Sequence, residues 1–186
     1  MNIGFAMCGS FCTFAQVFPV MEELAKEHDV IPIFSQIVCA TDSRFGTAKE
    51  HIERATKICG RPPLRTIPQV EPIGPKKMLD VLVIAPCTGN TLAKLAHSIA
   101  DGPVTMAAKS HLRNGRPVVL AVSTNDALAG AAENIGKLLA RKNFYFVPFR
   151  QDDPIQKPTS MVADFNLLPA ALDLAATGKQ LQPLLI

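Results

Sequence analysis

Asp80-Val81-Leu82-Val83-Ile84-Ala85-Pro86-Cys87-Thr88-Gly89-Asn90-Thr91-Leu92-Ala93-Lys94 is the stretch that decides the fold. Val81 to Ala85 is a short apolar run, the mark of a strand buried on both faces. From Thr91 to Ile99, the residues Leu92, Leu95, Ala96 and Ile99 recur at helical spacing, which predicts a helix. A strand that passes through a small polar turn into a helix leaves free backbone N–H groups at the helix start. The hydroxyls of Thr88 and Thr91 and the amide of Asn90 stand beside them. Such a mouth suits an anion, most often a phosphate. Thr and Asn are also ordinary helix caps, so a capped start that binds nothing accounts for the turn equally well.

The same strand-turn-helix unit repeats on either side. Ile3 to Cys8 reads as a strand, Gly9-Ser10 as a turn, and Thr13 to Glu27 as a helix with Phe14, Val17, Phe18, Met21, Leu24 and Ala25 along one stripe. Pro19 inside that helix is expected to kink it or push its start later. Val30 to Ser35 is a second strand, with Pro32 tolerable only where no ladder partner is needed. Thr47 to Cys59 is helical and is stopped by Gly60-Arg61-Pro62-Pro63. Arg65 to Lys77 is expected to be an ordered loop with a short strand near Ile67. Helices over Val104 to Leu112 and Leu128 to Arg141, and strands over Pro117 to Val122 and Phe144 to Phe149, complete the series. After a charged, Pro-rich segment from Gln151 to Pro158, a helix is expected over Met161 to Ala176, with Gly178 as its C-cap.

Alternating strands and helices imply parallel strands joined by right-handed crossovers. The fold expected is one doubly wound, Rossmann-like or flavodoxin-like α/β domain over residues 1–186, a parallel sheet with helices on both faces. Residues 151–186 form an extension that packs back on it. Ligands of such sheets bind beyond the carboxyl ends of the strands. Gly9-Ser10, Ser35 to Thr41, Cys87 to Thr91 and Ser123 to Asp126 all follow strands at that end, so Ser35 and Ser123 join the candidate rim.

Composition narrows the partners. At 186 residues the chain can bury a full core without disulfides or metal, and its 48% hydrophobic content suits a sheet covered on both faces or a contact between subunits. The formal charge of +3 is small and its Lys and Arg are scattered, which argues against nucleic acid. The five Cys form no C-x-x-C pair, and Cys8 and Cys12 have no His nearby to complete a zinc set, so no metal is expected and free thiols in a reducing cytoplasm are the default. No leader peptide or bilayer-length apolar run is apparent. Gly4-x-x-x-x-Gly9 is not the G-x-G-x-x-G fingerprint, so a nicotinamide cofactor held in that way is unsupported. Gly9 lets the backbone approach a ligand with Ser10 donating, or simply makes a tight turn.

Ala85-Pro86-x-Thr88-x-Asn90-Thr91-Leu92-Ala93-Lys94, followed by Ala100-Asp101, resembles the flavin-site signature of the flavoprotein family that includes phosphopantothenoylcysteine decarboxylase. Further segments are similar to one branch of that family: Gly9-Ser10, Arg44-Phe45-Gly46, Glu71 to Pro75, Ser123 to Leu128, Gln151 to Pro154, Lys157-Pro158 and Ser160 to Ala163. Together they run from about residue 3 to about residue 185. The resemblance implies FMN held at Gly9, Ser10, Thr88, Asn90 and Thr91. Asn125 is what this chain retains of a Pro-Ala-Met-Asn segment of the decarboxylases, and it suits a carboxylate, a flavin edge or a helix cap. The His that the decarboxylases carry shortly before the Ala-Pro motif is missing between Arg65 and Asp80.

The branch implies oxidation of dihydrodipicolinate to dipicolinate for bacterial spores, alongside a separate subunit whose Rossmann domain takes NADP. It also implies a homo-oligomer. Arg44 and Lys109 are cations available to a substrate carboxylate. Two other readings stay open: a stand-alone flavin-dependent decarboxylase acting on a small carboxylate, and a non-catalytic subunit that binds flavin or phosphate and activates its partner.

Overall fold

The computed structural model describes all of residues 1–186. Its elements in chain order are β1 (Asn2–Met7), α1 (Phe14–Glu27), β2 (Asp29–Phe34), α2 (Gln36–Ala40), α3 (Ala48–Cys59), α4 (Ile67–Val70), β3 (Val81–Cys87), α5 (Gly89–Ala96), α6 (Pro103–Leu112), β4 (Val118–Thr124), α7 (Ala132–Leu139), β5 (Phe144–Phe146), β6 (Phe149–Gln151), β7 (Met161–Ala163) and α8 (Leu168–Ala176). β2, β1, β3, β4 and β5 lie side by side in that order and all pair in parallel. Every residue of β3 is buried, and β1, β2 and β4 expose only one terminal position or none fully. Helices α1 and α8 pack on one face, and α5, α6 and α7 on the other.

Local chemistry explains the boundaries. Thr47 and Glu50 form a reciprocal capping box that starts α3, and Gly60, at φ +66°, ends it in the left-handed region. Pro32 sits in β2 because its backbone faces outward. Its carbonyl accepts from Leu64 N–H at 2.9 Å, so the missing N–H costs no bond to β1. Pro19 does not delay α1, which begins at Phe14 after a single 3₁₀ turn.

Four expectations are corrected. The strand near Ile67 is instead the short helix α4, set by a Thr66–Gln69 capping box, and the only strand-like pairing nearby is a bridge from Leu64 to Ile33. The helix expected from Leu128 begins at Ala132. Asp126 O draws in the N–H groups of Ala129 and Ala131, while Leu128 N–H is taken by Thr159 O at 3.0 Å. The strand expected over Phe144 to Phe149 breaks at Val147-Pro148, and the chain leaves β4 there. The helix expected from Met161 begins at Leu168, because Met161 to Ala163 pair antiparallel with both β6 and the end of β4. The sheet is therefore parallel in its five main strands and carries a small antiparallel hairpin, β6–β7, at the carboxyl end of β4.

The core holds one titratable group with a cost attached. His111 is fully buried at the end of α6. Its Nε2 lies 3.0 Å from Pro117 O and so carries the proton, since a carbonyl only accepts. Its Nδ1 is buried with no partner. Burial pulls the pKa down to about 4, against the hydrogen bond to Pro117, which raises it; Arg116 adds a smaller downward push. Below about pH 6.5 the unfolded chain binds a proton that the folded chain refuses until about pH 4. Stability is therefore full above that window and falls through it, by roughly 3 kcal/mol for this group. We expect the urea midpoint to drop between pH 6.5 and 4. His111→Gln, which keeps a donor for Pro117 but takes no proton, should flatten that drop; an unchanged slope would contradict the assignment.

Candidate functional site

The turns after β1, β2, β3 and β4 meet at the carboxyl edge of the sheet, and all eight candidate residues lie there, in two adjoining spaces. A small cavity of about 140 Å³ is lined by Gly9, Ser35, Thr88, Asn90 and Thr91, together with Lys94, Asp101 and the Gly102–Thr105 start of α6. A larger cleft of about 760 Å³ is lined by Gly9, Ser10, Thr88, Ser123 and Asn125, with Ser43 to Phe45 on one side and Asp152, Lys157 and Ser160 to Val162 of the hairpin on another. Gly9 and Thr88 line both.

The small cavity is rich in donors. Ser35 precedes the five-residue α2 without capping it, and its Oγ is buried with no hydrogen-bond partner. A hydroxyl in that state loses its hydration without compensation, a cost of about 1–3 kcal/mol. Thr88 caps α5, its Oγ1 accepting from Thr91 N–H at 3.4 Å. The starts of α5 and α6 both face this space. Lys94 Nζ lies 2.9 Å from both Asp101 oxygens on its wall. A Cβ on Gly9 would stand 2.8 Å from Ile37 Cγ2, so a larger residue there would force Ile37 to shift. The donors that Ser35, Thr88 and Asn90 bring to this cavity fit the chemistry of a phosphate.

Some of these side chains also hold the structure together. Thr91 Oγ1 donates to Cys8 Sγ at 3.2 Å and pairs with Thr88 Oγ1 at 3.1 Å, so this hydroxyl ties α5 to β1. Burial pushes the Cys8 thiol up to about 11, against the hydrogen bonds from Thr91 and Thr88. The Cys87 thiol is raised well above its usual range by burial and by Cys8. Both are thiols at neutral pH, so the position of Cys87 at the turn does not make it a nucleophile.

In the cleft, Ser10 Oγ and Ser123 Oγ lie 2.7 Å apart, joining the turns after β1 and β4. Thr124 Oγ1 donates to Asp126 Oδ1 at 2.5 Å, and that pair packs against Gly89. A Cβ on Gly89 would fall 2.7 Å from Thr124 Oγ1 and 2.8 Å from Asp126 Oδ1, so a larger residue there would disturb that pair. Asn125 caps no helix. Its carbonyl accepts from Thr159 Oγ1 at 2.7 Å and its Oδ1 from Ser160 Oγ at 3.5 Å, which docks the hairpin.

Arg44 lines the cleft, but Lys109 does not. Lys109 lies in a separate cavity of about 350 Å³ with Leu95, Ile99, Leu112, Arg141 and Phe144. No histidine lines the small cavity or the cleft. Sequence reasoning missed the start of α6, whose signal was Gly102-Pro103, a glycine before a proline at a helix start. It also missed the hairpin wall.

Against known proteins, the Flavoprotein family model matches residues 1–165. The chain is 47% identical to the B subunit of dipicolinate synthase from Bacillus subtilis (strain 168) over 186 residues, all of this chain and 93% of that protein. It superposes on the crystal structure of the B subunit of dipicolinate synthase from Bacillus halodurans with a TM-score of 0.91 and 45% identity, covering 100% and 95% of the two chains. The FMN-dependent cysteine decarboxylase SpaF shares the fold, with a TM-score of 0.69 at 22% identity over 95% of this chain and 97% of that one. The chain belongs to the Flavoprotein family, in the branch of the dipicolinate synthase B subunits.

Proposed function

We propose that this chain is an FMN-binding subunit that forms dipicolinate from dihydrodipicolinate together with the A subunit of dipicolinate synthase, its companion. The observation that carries this reading is a small donor-lined cavity, with the buried Ser35 Oγ unpartnered among its lining residues, that shares Gly9 and Thr88 with a much larger cleft. One space suits a phosphate and the other a flat ring with a substrate. Full-length similarity to the B subunits of dipicolinate synthase supplies the substrate and the partner. When bound, FMN supplies a two-electron acceptor or donor.

This chain's own residues bind and orient. Ser35, Thr88 and Asn90 take the phosphate. The Ser10–Ser123 pair fixes the distance between two walls of the cleft. Asn125 and Ser160 hold the hairpin against it. No histidine lines either space, and burial keeps the Cys8 and Cys87 thiols neutral, so none of these groups is poised to take a proton at pH 7. That favours dependence on the companion subunit, the expected home of NADP, over a stand-alone decarboxylase. A homo-oligomer is also part of this reading, with Ile37, 52% exposed beside the small cavity, offering apolar surface to a second copy.

Two outcomes test it. Replacing Asn90 by Ala should weaken FMN binding about ten- to a hundredfold, as expected when a partner in the closed complex is left unpaired at about 1–3 kcal/mol, measured by fluorescence titration. Unchanged affinity would remove Asn90 from the site. Product formation should be absent with either protein by itself and appear on mixing them. Full activity of the companion without this chain would end the two-subunit reading.

A further inference from the structure

Three charged residues line the large cleft: Arg44, Asp152 and Lys157. Lys157 Nζ is paired with Asp152 Oδ2 at 3.2 Å. Burial works to raise the Asp152 carboxyl, but hydrogen bonds from Ser160 and Lys157, and the charge of Lys157, outweigh it and hold that carboxyl below its usual value. This couple is self-neutralising. Arg44 meets no carboxylate and instead stacks on the Phe45 ring, with its guanidinium carbon 4.8 Å from the ring centroid. The cleft therefore carries one uncompensated positive charge, next to an aromatic side chain that is 43% exposed.

The turn that bears both residues is rigidly built. Ser43 and Gly46 exchange backbone hydrogen bonds of 3.0 and 3.1 Å, and Phe45 N–H donates to Ser43 Oγ at 3.2 Å. Asp42 Oδ1 accepts from Ala48 N–H at 2.9 Å, anchoring the turn to the start of α3. Gly46 stands at φ +126°, and a Cβ there would approach His51 Cε1 to 2.8 Å, so the turn is seated on His51. His51 is itself packed among Phe11, Phe14 and Phe18. A flexible surface arginine would spend most of its binding energy on ordering itself; this one starts from a fixed platform.

We propose that Arg44 and Phe45 form a subsite for an aromatic ring carboxylate, Arg44 pairing with a carboxylate and Phe45 lying against the ring. Guanidinium is suited to this because its planar fork meets both carboxylate oxygens while its face stays stacked. The inference rests on the proposed function for the choice of a pyridine dicarboxylate as ligand, and on this structure for the residues.

The test is calorimetric titration of the purified chain, its flavin content matched across variants, with pyridine-2,6-dicarboxylate, pyridine-2-carboxylate and 2,6-dimethylpyridine. Arg44→Gln should weaken both carboxylates by about 10- to 100-fold and leave dimethylpyridine and FMN binding unchanged. Arg44→Lys should recover part of the loss, and Phe45→Ala should weaken all three ligands alike. Two results would overturn the subsite: a wild-type chain that binds the dicarboxylate no better than dimethylpyridine, or an Arg44→Gln chain that binds it as tightly as wild type. Neither result depends on product formation with the companion protein, so failure of the two-subunit reaction and failure of this subsite are read separately.

Discussion

At the boundary between β1 and β3 the chain leaves the sheet in opposite directions, from β1 toward α1 on one face and from β3 toward α5 on the other. Neither crossover can fill the space between them, and a crevice opens at the carboxyl edge of the sheet. Everything functional follows from that geometry. The turns bordering the crevice must be small to close on one another, hence Gly9 against Ile37 and Gly89 against Thr124 and Asp126. They must also be polar, because backbone groups at the starts of α5 and α6 face the same space. Hydroxyls meet both demands, and serine and threonine accordingly line it.

The site divides by how those hydroxyls are used. Thr91, Ser10 and Ser123 are engaged within the protein, joining β1 to α5 and β1 to β4. Ser35 is held back, buried and unsatisfied. That buried hydroxyl, unpaired beside two helix starts, is what the proposed phosphate site rests on. Burial keeps the thiols of Cys8, which lines the small cavity, and Cys87 protonated.

The parallel core was legible because its signals are local: apolar runs at Val81 and Val118, helical stripes on α1 and α5, and the Thr47–Glu50 cap. The rim was legible for the same reason, since each polar turn directly follows its strand. The hairpin was not. Met161-Val162-Ala163 has helix-favouring composition, and only pairing with Ser123 and Thr124, far away in sequence, makes it a strand. That strand in turn carries Ser160 and Lys157 to the cleft and captures Leu128 N–H through Thr159, which explains why α7 starts late. Lys109 misled because its charge was visible and its direction was not: α6 turns it toward an apolar cavity on the far side of α5.

The central claim is that the small cavity holds a phosphate and the cleft a ring. Comparing the affinity of the chain for FMN and for riboflavin, by fluorescence quenching at one ionic strength, tests it most directly. Hydrogen bonds to a charged phosphate in a desolvated site make FMN bind at least about a hundredfold more tightly than riboflavin. Riboflavin binding as tightly as FMN would show that the cavity beside Ser35 does no work in recognition, and would contradict the account.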